Sequence, residues 1–214
     1  MSKQLFNIFF LSEKKQHYFL LKNNMQPTQV NWIHGNVSTD FSRLFNLALT
    51  ESSSEFVIMI GEQVYPTPSD IDYVVGKLQE GFGFISLAGF SFIALNRSII
   101  RKIGFMDERY QDCEWCNIDF LIRLGQHNIP VAFHNNVIHF PVKTASNEDI
   151  GKRHFDAKWK IDDVKITRLL PEENYEYNIG PYIDFQLLDG KNTSWIPNTA
   201  FGPAYSLGIQ NSLI

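Results

Sequence analysis

The sequence predicts an α/β domain, with a mainly parallel central sheet covered by helices on both faces. Three observations carry that expectation. Apolar runs of strand length alternate with segments of helical periodicity. One run, residues 56–60 (FVIMI), is apolar at every position, as a strand buried on both faces must be. Clusters of Gly, Pro, Asn and Ser fall between the runs, where the chain has to turn.

Taken in order, residues 5–11 (LFNIFFL) form a first strand, ended by the polar stretch Ser12-Glu13-Lys14-Lys15. A second short apolar run, residues 18–21, precedes the turn-prone Asn23-Asn24 and reads as another strand. Residues 29–33 suggest a third, closed by Gly35-Asn36. Ser38, Thr39 or Asp40 then caps a helix whose Phe41, Leu44, Phe45, Ala48 and Leu49 recur at helical spacing. Ser52-Ser53-Ser54 interrupts it before the 56–60 strand, which Gly61 ends. Pro66-Thr67-Pro68 forces an extended turn, and Ser69 or Asp70 caps a helix to about Gln79. Residues 83–95 read as strand, loop, strand. Asn96 or Ser98 opens a short helix ended at Gly104, and an acidic, turn-rich stretch leads to a helix carrying Ile118, Leu121, Ile122 and Leu124. Residues 131–133 and 137–140 suggest short strands. Beyond Pro171 the periodicity fades, which divides the chain into a domain over 1–170 and an irregular extension over 171–214. No internal repeat is visible.

Bulk properties narrow the function. A chain of 214 residues can bury a substantial core. The formal charge of −4 disfavours duplex DNA binding, which needs a strong positive field, although a local basic groove remains compatible with it. The two cysteines, Cys113 and Cys116, make one C-x-x-C beside acidic Asp112 and Glu114. Those acids raise thiol pKa values and argue against redox chemistry, and a zinc site would need ligands from elsewhere. No secretory signal and no apolar stretch of membrane-spanning length is seen, so a soluble, cytoplasmic protein is expected.

In open α/β sheets ligands gather at the carboxyl ends of the strands, so chemistry is expected just after Ile60. Three stretches there and beyond resemble the inverting, family-two type of GT-A glycosyltransferase. Residues 40–68, DFSRLFNLALTESSSEFVIMIGEQVYPTP, are similar to that family's helix with an Arg (here Arg43) and an Asn, its buried strand, its metal-binding turn and a proline. Residues 103–123, IGFMDERYQDCEWCNIDFLIR, resemble its G-x-[FM]-D-E-x-[FY] acceptor-side turn followed by W-E-D-x-D-x-x-x-R. His139, after a late strand, and residues 154–159, HFDAKW, resemble a His and an F-x-x-K-W segment. The resemblance spans roughly residues 36–160 and implies a GT-A fold, a nucleotide-sugar donor and a hydroxyl acceptor (a glycan, a protein or a modified nucleobase).

The departures are as informative. The family's D-x-D holds a divalent metal against the donor diphosphate, yet here the position reads Gly61-Glu62-Gln63, with Glu62 the one anion. Its W-E-D-x-D reads Trp115-Cys116-Asn117-Ile118-Asp119, so the base position holds Asn117, a carboxamide that takes no proton near neutral pH. The nucleotide-contacting P-x-Y-N turn near the amino end is also missing. The resemblance therefore implies either Mn²⁺ or Mg²⁺ held weakly by Glu62 and His139, or a metal-independent site in which Arg43 and Lys158, with Lys143, Arg153 and Lys160, supply positive charge. Asp112, Glu114 or Asp119 would replace the base. Each also has a plainer reading, as a loop charge, a helix N-terminal charge or, for Asp119, an i,i+4 partner of Arg123. Gly89, Phe90 and Trp115 fall on the acceptor side, where glycine permits close approach and an aromatic ring can stack on a sugar or simply pack. The alternative to an enzyme is an inactive relative that binds a sugar or a partner.

Overall fold

The structure, a computed structural model, describes residues 5–25, 30–110, 113–134, 148–159 and 175–177. Strands β1 (Phe6–Ser12), β2 (Val30–His34), β3 (Phe56–Gly61), β4 (Phe84–Ser86), β5 (Phe92–Asn96), β6 (Val131–Phe133) and β7 (Tyr175–Tyr177) form one sheet. Its order is β2-β1-β3-β5-β4-β6-β7. β2, β1 and β3 are parallel, β5 runs against both β3 and β4, β6 is parallel to β4, and β7 is antiparallel to β6. Among the described residues, then, the sheet is mixed, with β1, β2, β3, β4 and β6 pointing one way and β5 and β7 the other.

Helices α1 (Lys15–Asn24), α2 (Val37–Glu51), α3 (Pro68–Gln79), α4 (Ile100–Ile103), α5 (Cys113–Gln126) and α6 (Glu148–Trp159) complete the layers. β3 is buried at all six positions, as its unbroken apolar run requires. Its side chains alternate between two cores: Val57 and Met59 meet α2 and α5 on one face, while Phe56, Ile58 and Ile60 meet α1 and α3 on the other.

Local chemistry explains the helix boundaries. α2 breaks at Asp40 (φ −117°, ψ 17°), so regular helix begins with Phe41. α3 is capped by Thr67, rather than by Ser69 or Asp70 as its sequence suggests. Pro68 occupies the first helical position, where a missing N–H costs nothing, and Asp70 reaches back to the Thr67 N–H at 2.7 Å. The Asn96 side chain accepts from the Ser98 N–H at 2.9 Å and opens the 3₁₀ turn Arg97–Ile99 that leads into α4. Gly104 ends α4 with φ 77°, a conformation that favours glycine.

Two expectations need correction. Residues 18–21 are helical, not a strand. Leu21 and Met25 are buried at i and i+4 with Tyr18 partly covered, while Phe19 and Leu20 between them are 49% and 54% exposed. A four-residue apolar run does not distinguish the two periods. The region after Pro171 is also not uniformly irregular, since Tyr175–Tyr177 pairs with β6. The strand expected at 137–140 lies outside the described residues. No helix among the described residues is long and apolar enough to cross a membrane.

Candidate functional site

The shared direction of β1, β2, β3, β4 and β6 puts Ser12, His34, Gly61, Ser86 and Phe133 at one edge of the sheet. α5 ends at Gln126, five residues before the amino end of β6, so its first turn points back toward this same carboxyl edge. The turn after β3 and the first turn of α5 therefore belong to one edge. They are joined through the β4–β5 loop: Gly61 N–H donates to Ser91 O (2.7 Å), Gln63 Nε2 donates to Ser91 Oγ (2.6 Å), and the neighbouring Phe90 meets Phe120 of α5 at 6.5 Å between ring centres.

At the turn after β3, Gly61 is buried and Glu62 and Gln63 are half-buried. The Glu62 carboxylate faces His17 of α1, with Oε2 and Nδ1 3.5 Å apart and the side chains 24% and 30% exposed. Both atoms are buried without a hydrogen-bond partner among the described residues, and 3.5 Å is too long for a good one. Among the described residues no group of three or more His, Cys, Asp or Glu side chains gathers as a metal site. Arg43 lies exposed on α2.

A second cluster, where the loop after α4 meets α2, α5 and α6, is dense with charge. Asn46 of α2 is fully buried and clamps the loop after α4: its Oδ1 accepts from Met106 N–H (2.9 Å), and its Nδ2 donates to Met106 O (2.9 Å) and Glu108 Oε1 (2.6 Å). Next to that clamp, Asp107 is fully buried and accepts from Arg109 Nε (2.8 Å) and Nη2 (2.5 Å) and from Lys158 Nζ (3.2 Å). His154 Nε2 stands 3.3 Å from the same carboxylate. Burial alone would raise the Asp107 carboxyl. The bonds from Arg109 and His154 and the charges of Lys158 and Arg109 outweigh it and hold the group well below the usual carboxylate range.

Asp119, also fully buried, takes Arg123 at 2.8 Å, Lys158 at 2.5 Å and the Trp159 Nε1–H at 2.8 Å. Arg123 donates on to Ile103 O (2.6 Å) and Phe105 O (2.8 Å), fastening α5 to the end of α4. Tyr110 lies between the two acids. Its burial first, then the charges of Asp119 and Asp107, push the phenol well above its usual range, so it stays protonated.

Measured against the sequence, Asp119 makes the expected i,i+4 pair with Arg123. Lys158, expected beside a donor diphosphate, is only 12% exposed and bridges Asp107 to Asp119. Asn117 is half-buried on the first turns of α5. Trp115 packs on Phe155 at 5.0 Å, under Lys152 at 5.9 Å. Phe90 packs edge-on against Phe41 and leans on Phe84, while Gly89 is exposed with φ 54° and open space beside it. Cys113 and Cys116 are unbridged thiols. Asp112 and His139, with Lys143 and Lys160, lie outside the described residues, as does the Glu114 side chain. Asp107, Tyr110, His154 and Asn46 fall inside the three resembling stretches but carry no functional signal of their own in the sequence. His17 had no sequence signal.

This arrangement of sheet, helices and carboxyl-edge loops is the GT-A-like glycosyltransferase fold. Among solved structures, the chain is similar to the catalytic domain of Drosophila β1,4-galactosyltransferase 7 in complex with xylobiose, with a TM-score of 0.52 and 10% identity over 71% of this chain and 79% of that one. A mutant of the same fly enzyme, in complex with manganese, UDP-Gal and xylobiose, gives a TM-score of 0.47 and 13% identity over 66% and 68%. No family model and no curated protein matches the sequence.

Proposed function

We propose that this protein transfers a glycosyl group from a nucleotide sugar to a hydroxyl acceptor, with inversion, at the carboxyl edge of the sheet. The observation that carries the reading is the GT-A-like fold with a loosely paired carboxylate, Glu62, at the turn leaving its central strand. The similar fly structure was solved with a disaccharide, xylobiose, and a glycan is accordingly the acceptor class we favour. Residues 1–170 form the transferase-like unit in this reading, and 171–214 an extension that contributes the edge strand β7.

Mg²⁺ and Mn²⁺ sites at phosphate-transfer centres commonly use one or two carboxylates and take their remaining ligands from substrate phosphates and water. Glu62, with His17 beside it, meets only the lower limit of that requirement. It would hold a divalent ion weakly, neutralising the leaving diphosphate, and Gln63 is occupied by Ser91. A metal-independent site, with cations such as Arg43 near the diphosphate, is equally in keeping with this donor set. Gly89 and Trp115 border the acceptor side in this reading.

A second reading has a specific observation behind it. Asn117 replaces the expected base, and neither outer carboxylate of the metal turn is present, as in a relative that binds sugar without turning it over. Binding and hydrolysis across a panel of nucleotide sugars, with and without Mn²⁺, separate the two. Turnover lost in Glu62→Gln supports the enzyme. Binding without turnover supports the sugar-binding relative, and no binding by a folded protein removes both.

A further inference from the structure

Resting on the transfer reading, this inference concerns the group that removes the acceptor's proton. Asn117 does not do so near neutral pH. Asp107 and Asp119 are fully buried and bonded to two cations each, so neither reaches an acceptor hydroxyl. We propose that His154, oriented by the buried Asp107 carboxylate, is the general base of this site.

Position comes first. Phe155 packs on Trp115 at 5.0 Å and Trp159 bonds Asp119 at 2.8 Å, so α6 lies alongside α5 in the same direction. His154 therefore stands level with the first turn of α5, the turn next to Asn117 at the carboxyl edge. Its side chain is 26% exposed, whereas that of Asp107 behind it is 0% exposed. The Tyr110 ring meets the imidazole edge-on at 4.7 Å and limits its rotation.

The tautomer follows from the partners. Asp107 receives hydrogen bonds from the Arg109 backbone N–H, the Arg109 guanidinium and Lys158, as an ionised carboxylate does. Such a group only accepts, so the facing Nε2 of His154, at 3.3 Å, must carry the hydrogen. The lone pair of a neutral ring is then on Nδ1, to which nothing is bonded among the described residues. The groups around the ring are Asp107, Arg109 and Tyr110 from the loop, Lys158 one turn further along α6, and Asp119 beyond Lys158. Arg109 and Lys158 both donate to Asp107, and Lys158 is shared with Asp119. A carboxylate behind an imidazole whose far nitrogen has no partner among the described residues is the arrangement that takes a proton from a hydroxyl.

In the reaction, the acceptor O–H proton passes to Nδ1 while the oxygen's electron pair forms the bond to the anomeric carbon. The bond from that carbon to the donor phosphate oxygen breaks, and its pair leaves with the nucleoside diphosphate. The imidazolium so formed is stabilised by Asp107 behind it.

Two measurements test this. Side-chain ¹⁵N NMR of the wild-type protein at pH 8, with the His154 signals assigned by their loss in His154→Gln, should show the Nε2–H tautomer. An Nδ1–H tautomer overturns the proposal whatever the activity. Turnover is read with UDP-galactose, UDP-glucose, UDP-N-acetylglucosamine and GDP-mannose. For the donor that the wild type uses, His154→Gln should lower kcat by about 10²–10⁴-fold with donor binding unchanged, and added imidazole should restore part of the rate to His154→Gly. A His154→Gln rate within about threefold of wild type, where a base contributes at least about 10²-fold, overturns this proposal and leaves the transfer reading standing. A wild type that turns over none of the four donors removes both.

Discussion

The turn after β3 and the cluster between the α4–α5 loop, α5 and α6 hold their carboxylates in opposite ways. At the turn after β3, Glu62 faces His17 at 3.5 Å, and among the described residues neither facing atom is hydrogen-bonded. Where the loop after α4 meets α5 and α6, Asp107 and Asp119 are sealed from water and share Lys158, with Arg109 on one and Arg123 on the other. A charge already matched by fixed partners serves architecture, because a ligand would have to displace those partners. A charge left with a loose partner can still serve a ligand. The difference assigns rigidity to α5 and α6 and availability to the turn after β3.

The most damaging way to probe that comparison is Asp119→Ala. It leaves Arg123 and Lys158 buried with one anion fewer, and breaking a buried pair from one side costs about 3–5 kcal/mol. Urea denaturation should show a loss of that order. Asn46→Leu comes next. It fills the space but leaves the Met106 N–H and C=O without their partner, at about 1–3 kcal/mol in the same measurement, and it frees the loop that carries Asp107. An Asn46→Leu protein as stable as wild type would mean that the loop holds without its clamp.

Acid should expose the Asp107 network over a limited pH range. The folded carboxyl lies below its unfolded value of about 3.9, so it stabilises the fold above that pH, and the contribution is lost as pH falls from about 4 downward. Asp107→Asn should therefore be less stable than wild type at pH 7, and its urea midpoint should fall less steeply below about pH 4. Parallel curves for the two proteins would contradict the pairing. Tyr110 has the opposite sign. Its raised folded pKa preserves stability below its unfolded value of about 10, and that stability is lost as pH rises beyond it.

How much of this was legible depended on how local each signal is. β3 could be read directly because burial on both faces demands an apolar residue at every position, and FVIMI supplies one. The Asp119–Arg123 pair could be read because helical spacing alone brings i and i+4 together. α1 was misread because its buried residues are separated by Phe19 and Leu20, which are apolar yet exposed, so the run of four matched a strand as well as a helix. The direction of β5, which makes the sheet mixed, follows from pairing with both β3 and β4, and no local pattern announces that. Lys158 lies about forty residues beyond its partner Asp119 in sequence, and its spacing says only that it is a cation near a tryptophan. Asp107 was hidden among the acids of a turn-rich stretch, and His17 lay in the misread segment.

The smallest expected effect on stability is also the sharpest test of the comparison. Glu62→Gln removes a half-buried charge whose facing partner lies at 3.5 Å, beyond good hydrogen-bond range, so the loss should stay within about 0.5 kcal/mol, as for surface changes away from a network. The amide keeps the shape of the side chain and removes only its charge. If the turn is free for a ligand, donor affinity or turnover should change by far more than stability does, and any Mn²⁺ response should disappear with the carboxylate. A Glu62→Gln protein that loses several kcal/mol would instead show that His17 and Glu62 are as structural as the Asp107 and Asp119 network, and the contrast between the turn and that network would collapse.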